Sequence, residues 1–415
     1  MRIGDDRFFH LTYCTNIHPG ESWAAVFASL ERYVPGLKQR LSPFEAFGIG
    51  LRLSDLAARE LSQGDALAAF KTWLDERDLY VFTLNGFPYG GFHRQVVKDQ
   101  VYAPDWRAPA RVDYTLRLAR ILAALLPADI EGGISTVPIS YKPWFNSESE
   151  RAAAFEQASL NLARVAAELM SIRAVTGRTL HIDLEPEPDC LLENSDETVD
   201  FFQRWLLPVG SEWLAAARNI SRADAQAKLR AHIGVCYDTC HFALQYETPT
   251  AALSKLTGAG IRIGKVQLSA ALKAPIPESE TDRQAVIERL RPFAEPTYLH
   301  QIVERRADDH LHHHADLSTT MSPHPDAREW RVHFHVPIFS SDYDGIYSTQ
   351  GDIAATLSVL RDTHACPHLE IETYTWEVLP SRLKIDLSAS IAREYEWVLA
   401  AFADATSSRD EPMPC

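Results

Sequence analysis

Hydrophobic and polar positions alternate along this chain in two periods. Short runs with period two or continuous apolar character fall at 8–16, 47–53, 79–86, 133–140, 179–187, 232–238, 263–269, 330–339 and 368–374. Between them lie stretches whose apolar residues recur at three and four, such as 22–40, 54–77, 111–126, 148–175, 195–218 and 386–403. Repeated strand–helix units of this kind predict a parallel sheet wrapped by helices. Eight units make a closed (β/α)8 TIM barrel. The pattern offers nine strands, one too many, and 330–339 is the odd one: it reads as a β insertion between the seventh and eighth units, over the barrel mouth. The stretch 305–328 looks irregular, and 405–415 reads as a disordered tail. No linker or composition shift divides the rest, so 1–404 reads as a single domain.

Strand parity carries the chemistry. In "TLHIDLEPE" His181, Asp183, Glu185 and Glu187 share one face. In "HLEIETY" His368, Glu370 and Glu372 do, in "IGKVQLS" Lys265, Gln267 and Ser269, and in "RVHFHV" His333 and His335. Strands of a parallel barrel meet helices on one face and the barrel interior on the other, so neither face is bulk water. Several carboxylates pointing inward cannot stay charged without a partner, and a divalent cation is the economical one. Such barrels keep their chemistry at the C-terminal strand ends. The polar sets climb to those ends at Glu185, Asp238, Gln267 and Glu372, with His241, His333 and His335 nearby. Two glutamates, an aspartate and an amide oxygen suit one divalent ion of the Mg²⁺ or Mn²⁺ type, and an added imidazole shifts the choice toward Mn²⁺, Co²⁺ or Zn²⁺. Glu187 and Glu370 lie one pleat away from the chosen glutamates. The turn "LNGFPYGG" leaves a strand with Asn85 able to meet substrate and His93 in the loop that follows. Asn16 and His18, ending the first strand, are candidates for the same pocket, and Trp144 and Trp376 for its walls. The tract "DDHLHHHAD" has a metal-binding composition, although most such tracts are solvated loops.

Composition narrows the class. A net charge of −15 over 415 residues excludes a basic nucleic-acid surface and docking on anionic membranes. No apolar run is long enough to span a bilayer. The first residues lack a basic stretch followed by an apolar one, and the six scattered cysteines do not form a disulfide framework, so a reducing cytoplasm is expected.

"GVCYDTCH" (234–241) resembles the Asp-Thr-Cys-His signature of the xylose isomerase-like TIM-barrel superfamily, which includes sugar and inosose isomerases, epimerases and endonuclease IV. The resemblance implies metal ligands at Glu185, Asp238 and Glu372, with His241 three residues after the aspartate. On the seventh strand most members carry His, where this chain has Gln267. A closer resemblance, over "LTYCTNIHPGESW", "LNGFPYGGFH", "VKDQVYAPDW", "LEPEPDCLLENSDET" and "LEIETYTWEVLP", is to the EboE family of metabolite traffic proteins. Together these imply a metal-dependent isomerase or epimerase acting on a polyhydroxylated small molecule, a sugar or keto-cyclitol such as an inosose. Glu185 and Glu372 would be ligands and acid–base groups, with His241 holding a substrate oxygen. Glu187, His333, His335, Asn85, His93 and His18 would contact substrate. A homodimer and partner proteins of one metabolite pathway are compatible with the resemblance. Two rival classes remain. An endonuclease IV-like phosphodiesterase predicts two or three metals held mainly by histidines and a basic groove. A non-catalytic metabolite binder predicts an aromatic-lined pocket with a weakened metal site.

Overall fold

The computed structural model describes residues 1–407. Its strands are β1 (Arg2–Ile3), β2 (Phe9–Tyr13), β3 (Phe47–Arg52), β4 (Leu79–Asn85), β5 (Gly132–Thr136), β6 (Leu180–Leu184), β7 (Ile233–Asp238), β8 (Ile263–Leu268), β9 (Ala270–Pro275), β10 (Ile302–Arg306), β11 (Leu311–His314), β12 (Ala327–Val336), β13 (Tyr347–Ser348) and β14 (His368–Ile371). Strands β2 to β8 and β14 form a parallel barrel in the order β2-β14-β8-β7-β6-β5-β4-β3. Only β1, at the edge, runs antiparallel. The ring closes where Cys14 bridges Gly50. A side chain is impossible at Gly50, because a Cβ there would lie 1.7 Å from Glu370 Oε1 and 2.7 Å from the Tyr13 carbonyl oxygen.

The surplus strand of the sequence pattern belongs to a second, antiparallel sheet ordered β11-β10-β12-β9-β13, inserted between β8 and β14. Its first strand, β9, starts two residues after β8 ends, so the extension begins earlier than its one legible strand suggests. The stretch 305–328 is more regular than expected: β11 pairs with β10 in a hairpin, placing His314 opposite Ile302 and His312 opposite Glu304. Three consecutive histidines, 312–314, hide the strand period there, because each scores as polar. The predicted helix at 54–77 is two helices, Asp55–Leu61 and Ala66–Asp75, parted by Gly64 in the left-handed region. That at 195–218 carries a π-helical stretch, Phe202–Gly210, around Pro208. The last helix runs to Ser407, into the start of the tail expected to be disordered; 408–415 lies outside the described residues. Among the described residues no helix is long and apolar enough to cross a membrane.

Candidate metal centre

The inside of the barrel is polar in layers. Deepest lie His181, Asp183 and His368, all fully buried, with His181 Nδ1 2.8 Å from Asp183 Oδ2. Next is an ion pair between Lys265 Nζ and Glu370 Oε2, neither side chain exposed. Above it, at the strand ends, Glu185, Asp238 and Glu372 each bring an oxygen within 4.8 Å of the others. Glu185 follows β6 directly, Asp238 ends β7 and Glu372 follows β14. Gln267 stands beside Asp238 on the adjoining strand.

Local hydrogen bonds fix each ligand candidate. Asp238 caps the short helix Thr239–Leu244: its Oδ1 accepts from the His241 amide (3.0 Å) and the Ser269 hydroxyl (2.6 Å). The aspartate is therefore a helix cap and a potential ligand at once, and the cap puts His241 one turn on, over the same end of the barrel. Glu372 Oε1 accepts from the amides of Asn16 (2.8 Å) and Asn85 (2.9 Å). The free ends are more informative. Glu185 Oε2, Asp238 Oδ2 and both amide atoms of Gln267 are buried with no hydrogen-bond partner. Buried polar atoms left this way cost about 1–3 kcal/mol each. A divalent cation among them would satisfy the oxygens, so the residues present fit the metal that the sequence pattern implies.

Electrostatics point the same way. Burial, then the nearby Asp238, pushes the Glu185 carboxyl well above its ordinary range. Burial, then Glu185 and Asp238, does the same to Glu372. Burial also acts upward on Asp238, but the facing imidazoles and the Ser269 and His241 hydrogen bonds outweigh it and hold this carboxyl low. Burial raises Glu187 to about 8, against the hydrogen bond from Tyr102. Burial pushes His241 down, His335 down to about 4 and His333 well below its ordinary value.

Glu185, Glu187, Glu372 and the three histidines line a cleft over this end of the barrel. Of the residues expected around substrate, Glu187, His241, His333, His335 and Asn85 line it. His93 does not: it is buried behind the wall, 2.6 Å from the Asn16 carbonyl oxygen and 2.9 Å from the Tyr298 hydroxyl. His18 is turned away altogether. The 3-10 turn Thr15–Ile17 aims it at the Tyr13 hydroxyl (3.0 Å) and stacks it on Tyr33. Trp144 reaches outward to Asp99 (2.9 Å) and Trp376 borders a separate surface cavity, so neither walls the cleft. The walls are Phe87, Phe92, Val97, Val101, Tyr102, Tyr298, Leu299 and Tyr374, which sequence reasoning passed over. Only the clustering of all but Tyr374 in the turn-rich stretches after β4 and before β10 hinted at them; Tyr374 follows β14. In the histidine tract, His313 meets Asp189 (3.1 Å) outside the cleft.

No protein-family model matches the chain, and no curated protein matches it in sequence. Among solved structures it is similar to a xylose isomerase-like TIM barrel protein from Mycobacterium smegmatis in complex with magnesium, at 9% identity over 97% of this chain and 99% of that one, with a TM-score of 0.50. It is also similar to a D-tagatose 3-epimerase-like protein (10% identity, 97% and 100% covered, TM-score 0.49). A third is the IOLI protein with a binding zinc atom (11% identity, 95% and 98% covered, TM-score 0.48). At these identities the likeness is one of fold alone, the (β/α)8 TIM barrel that the strand order shows.

Proposed function

We propose that the protein is a divalent-metal-dependent isomerase or epimerase of a sugar or keto-cyclitol, working through an enediolate. The observation that carries this reading is the trio Glu185, Asp238 and Glu372, with two oxygens that nothing in the chain satisfies, beside a cleft that Glu185 and Glu372 line. A bound divalent cation supplies Lewis acidity toward a substrate carbonyl and offsets negative charge on the enediolate. The chain itself supplies the proton transfer. Glu185 and Glu372, from strands on different sides of the barrel, have carboxyls raised by burial, as a base and acid working near neutrality need. The Asn16 and Asn85 amides hold one oxygen of Glu372, so only Oε2 is left to face substrate. Tyr102 and Gln301 fix Glu187 and His333 beside it. The resemblance to the EboE family supports a place for this reaction in the making or movement of a small metabolite, in the cytoplasm.

The test is proton exchange. The metal-loaded protein, incubated with keto-sugars and inososes in deuterated water, should label the carbon next to the carbonyl. Glu185→Gln and Glu372→Gln should each slow labelling by 10²-fold or more, on the order expected for a lost acid or base. Labelling that is equal in the variants would remove both carboxylates from the mechanism. A second reading is a binder that turns nothing over, favoured by the aromatic and apolar walls at Phe87, Phe92, Tyr298 and Tyr374. It expects ligand binding without exchange.

A further inference from the structure

The walls of the cleft are chemically unlike the barrel end they rise from. They are built by the stretch after β4 (86–108), the segment before β10 and the 3-10 turn after β14. Phe92, Tyr298 and Tyr374, one from each, pack ring against ring with centroids 5.0, 5.1 and 5.2 Å apart. Val97 and Val101 pack against the same group. The polar tips among the walls are already used. The Tyr102 hydroxyl donates to Glu187 (2.7 Å) and accepts from the Gln301 amide (3.1 Å). The Tyr298 hydroxyl is bound to His93 (2.9 Å). At the barrel end, by contrast, buried polar atoms stand without partners, Asn16 Oδ1 and Glu185 Oε2 among them.

Charge narrows the choice of ligand further. Lys98 is the one lysine or arginine lining the cleft among the described residues, and its Nζ donates to Asp316 Oδ2 at 2.6 Å. Three acidic side chains, Glu185, Glu187 and Glu372, share the lining. A phosphate or carboxylate between the walls would meet no free cation. A hydroxyl there would exchange water for atoms that cannot hydrogen-bond to it, which disfavours binding. An apolar group would instead cover aromatic and aliphatic surface that water otherwise wets.

We infer that the substrate of this cleft is an uncharged hydroxy ketone bearing an apolar, aryl-sized substituent, with the oxygenated head at the carboxylates and the substituent against Phe92, Val101, Tyr298 and Tyr374. The head rests on the isomerase reading; the substituent and the lack of charge rest on the walls alone. Plain sugars and their phosphates are then poor ligands.

The probes are an inosose, its mono-O-benzyl ethers at the hydroxyls remote from the carbonyl, and its monophosphate, each titrated calorimetrically into the full-length, metal-loaded protein. At least one ether should bind about 10-fold tighter than the parent or better, which requires burial of only about 55 Å² of apolar surface at about 25 cal/mol per Å². The phosphate should bind no better than the parent. Leu299→Gln, which sets an amide in the wall, should cut the ether's advantage by about three-fold or more. No ether better than the parent, tighter binding of the phosphate, or no binding of any probe would overturn the inference, and none of those measurements needs a variant to fold. Failure of the isomerase reading is a different result: an ether bound more tightly than the parent, with no probe labelled in deuterated water. A parent inosose that is labelled, with no ether preferred, would keep the isomerase reading and sink this one.

Discussion

Replacing Lys265 by methionine tests whether the charge beneath the site is balanced as the structure shows. Lys265 and Glu370 form an ion pair with neither side chain exposed. Lys265 Nζ has one further neighbour at hydrogen-bond distance, the Ser135 hydroxyl at 3.2 Å. Methionine keeps most of the volume and removes the cation, so Glu370 is left as an uncompensated anion in the centre of the barrel. Breaking a buried pair from one side costs about 3–5 kcal/mol, whereas replacing both partners by neutral groups of like volume is often neutral. Lys265→Met should therefore be destabilised by about 3–5 kcal/mol, and Lys265→Met/Glu370→Gln should recover most of the loss. Unfolding entropy of about 2.1 cal/mol/K per residue comes to about 0.9 kcal/mol/K for this chain. The single variant should then melt about 3–6 °C lower by calorimetry on the metal-free protein. A single variant within about 1 kcal/mol of the unsubstituted protein, or a double variant no better than the single, would refute the reasoning.

Gly50→Ala should be worse than any exposed change, because its Cβ would collide with Glu370 and with the Tyr13 backbone at the barrel seam; a loss of several kcal/mol, read as a denaturation midpoint or as insoluble expression, is expected. Gly177 ends the helix Glu148–Thr176 at φ +73°, with nothing within 4 Å of a new Cβ, so Gly177→Ala should cost only the left-handed backbone term, about 1 kcal/mol. Burial lowers His10 from 6.5 to about 4. A histidine held neutral by the fold contributes its full stability above pH 6.5 and loses it as pH falls toward 4, so acid should remove up to about 3 kcal/mol over that window. His10→Gln should flatten the slope of stability against pH; an unchanged slope would assign the acid lability elsewhere.

Some of this was legible in the sequence, and the division has a physical cause. Strand parity and the cap-plus-one-turn spacing of Asp238 and His241 are local, so they survive without coordinates. Glu185, Asp238 and Glu372 converge because parallel strands in a closed barrel bring their C-terminal ends together, whichever residues fill the helices. The same parity put His333 and His335 on one face. What it did not contain was the register of β12 against β9 and β10, which is set by antiparallel pairing between segments far apart in sequence. That register decides whether the two histidines reach over the barrel and meet His241 or miss it by a residue. His18 shows the converse: the right residue type at the right strand end, turned into the core by three residues of 3-10 helix. His333, on the strand face it shares with His335, does line the cleft, with Nδ1 facing Gln301 and Nε2 beside His241 and His335.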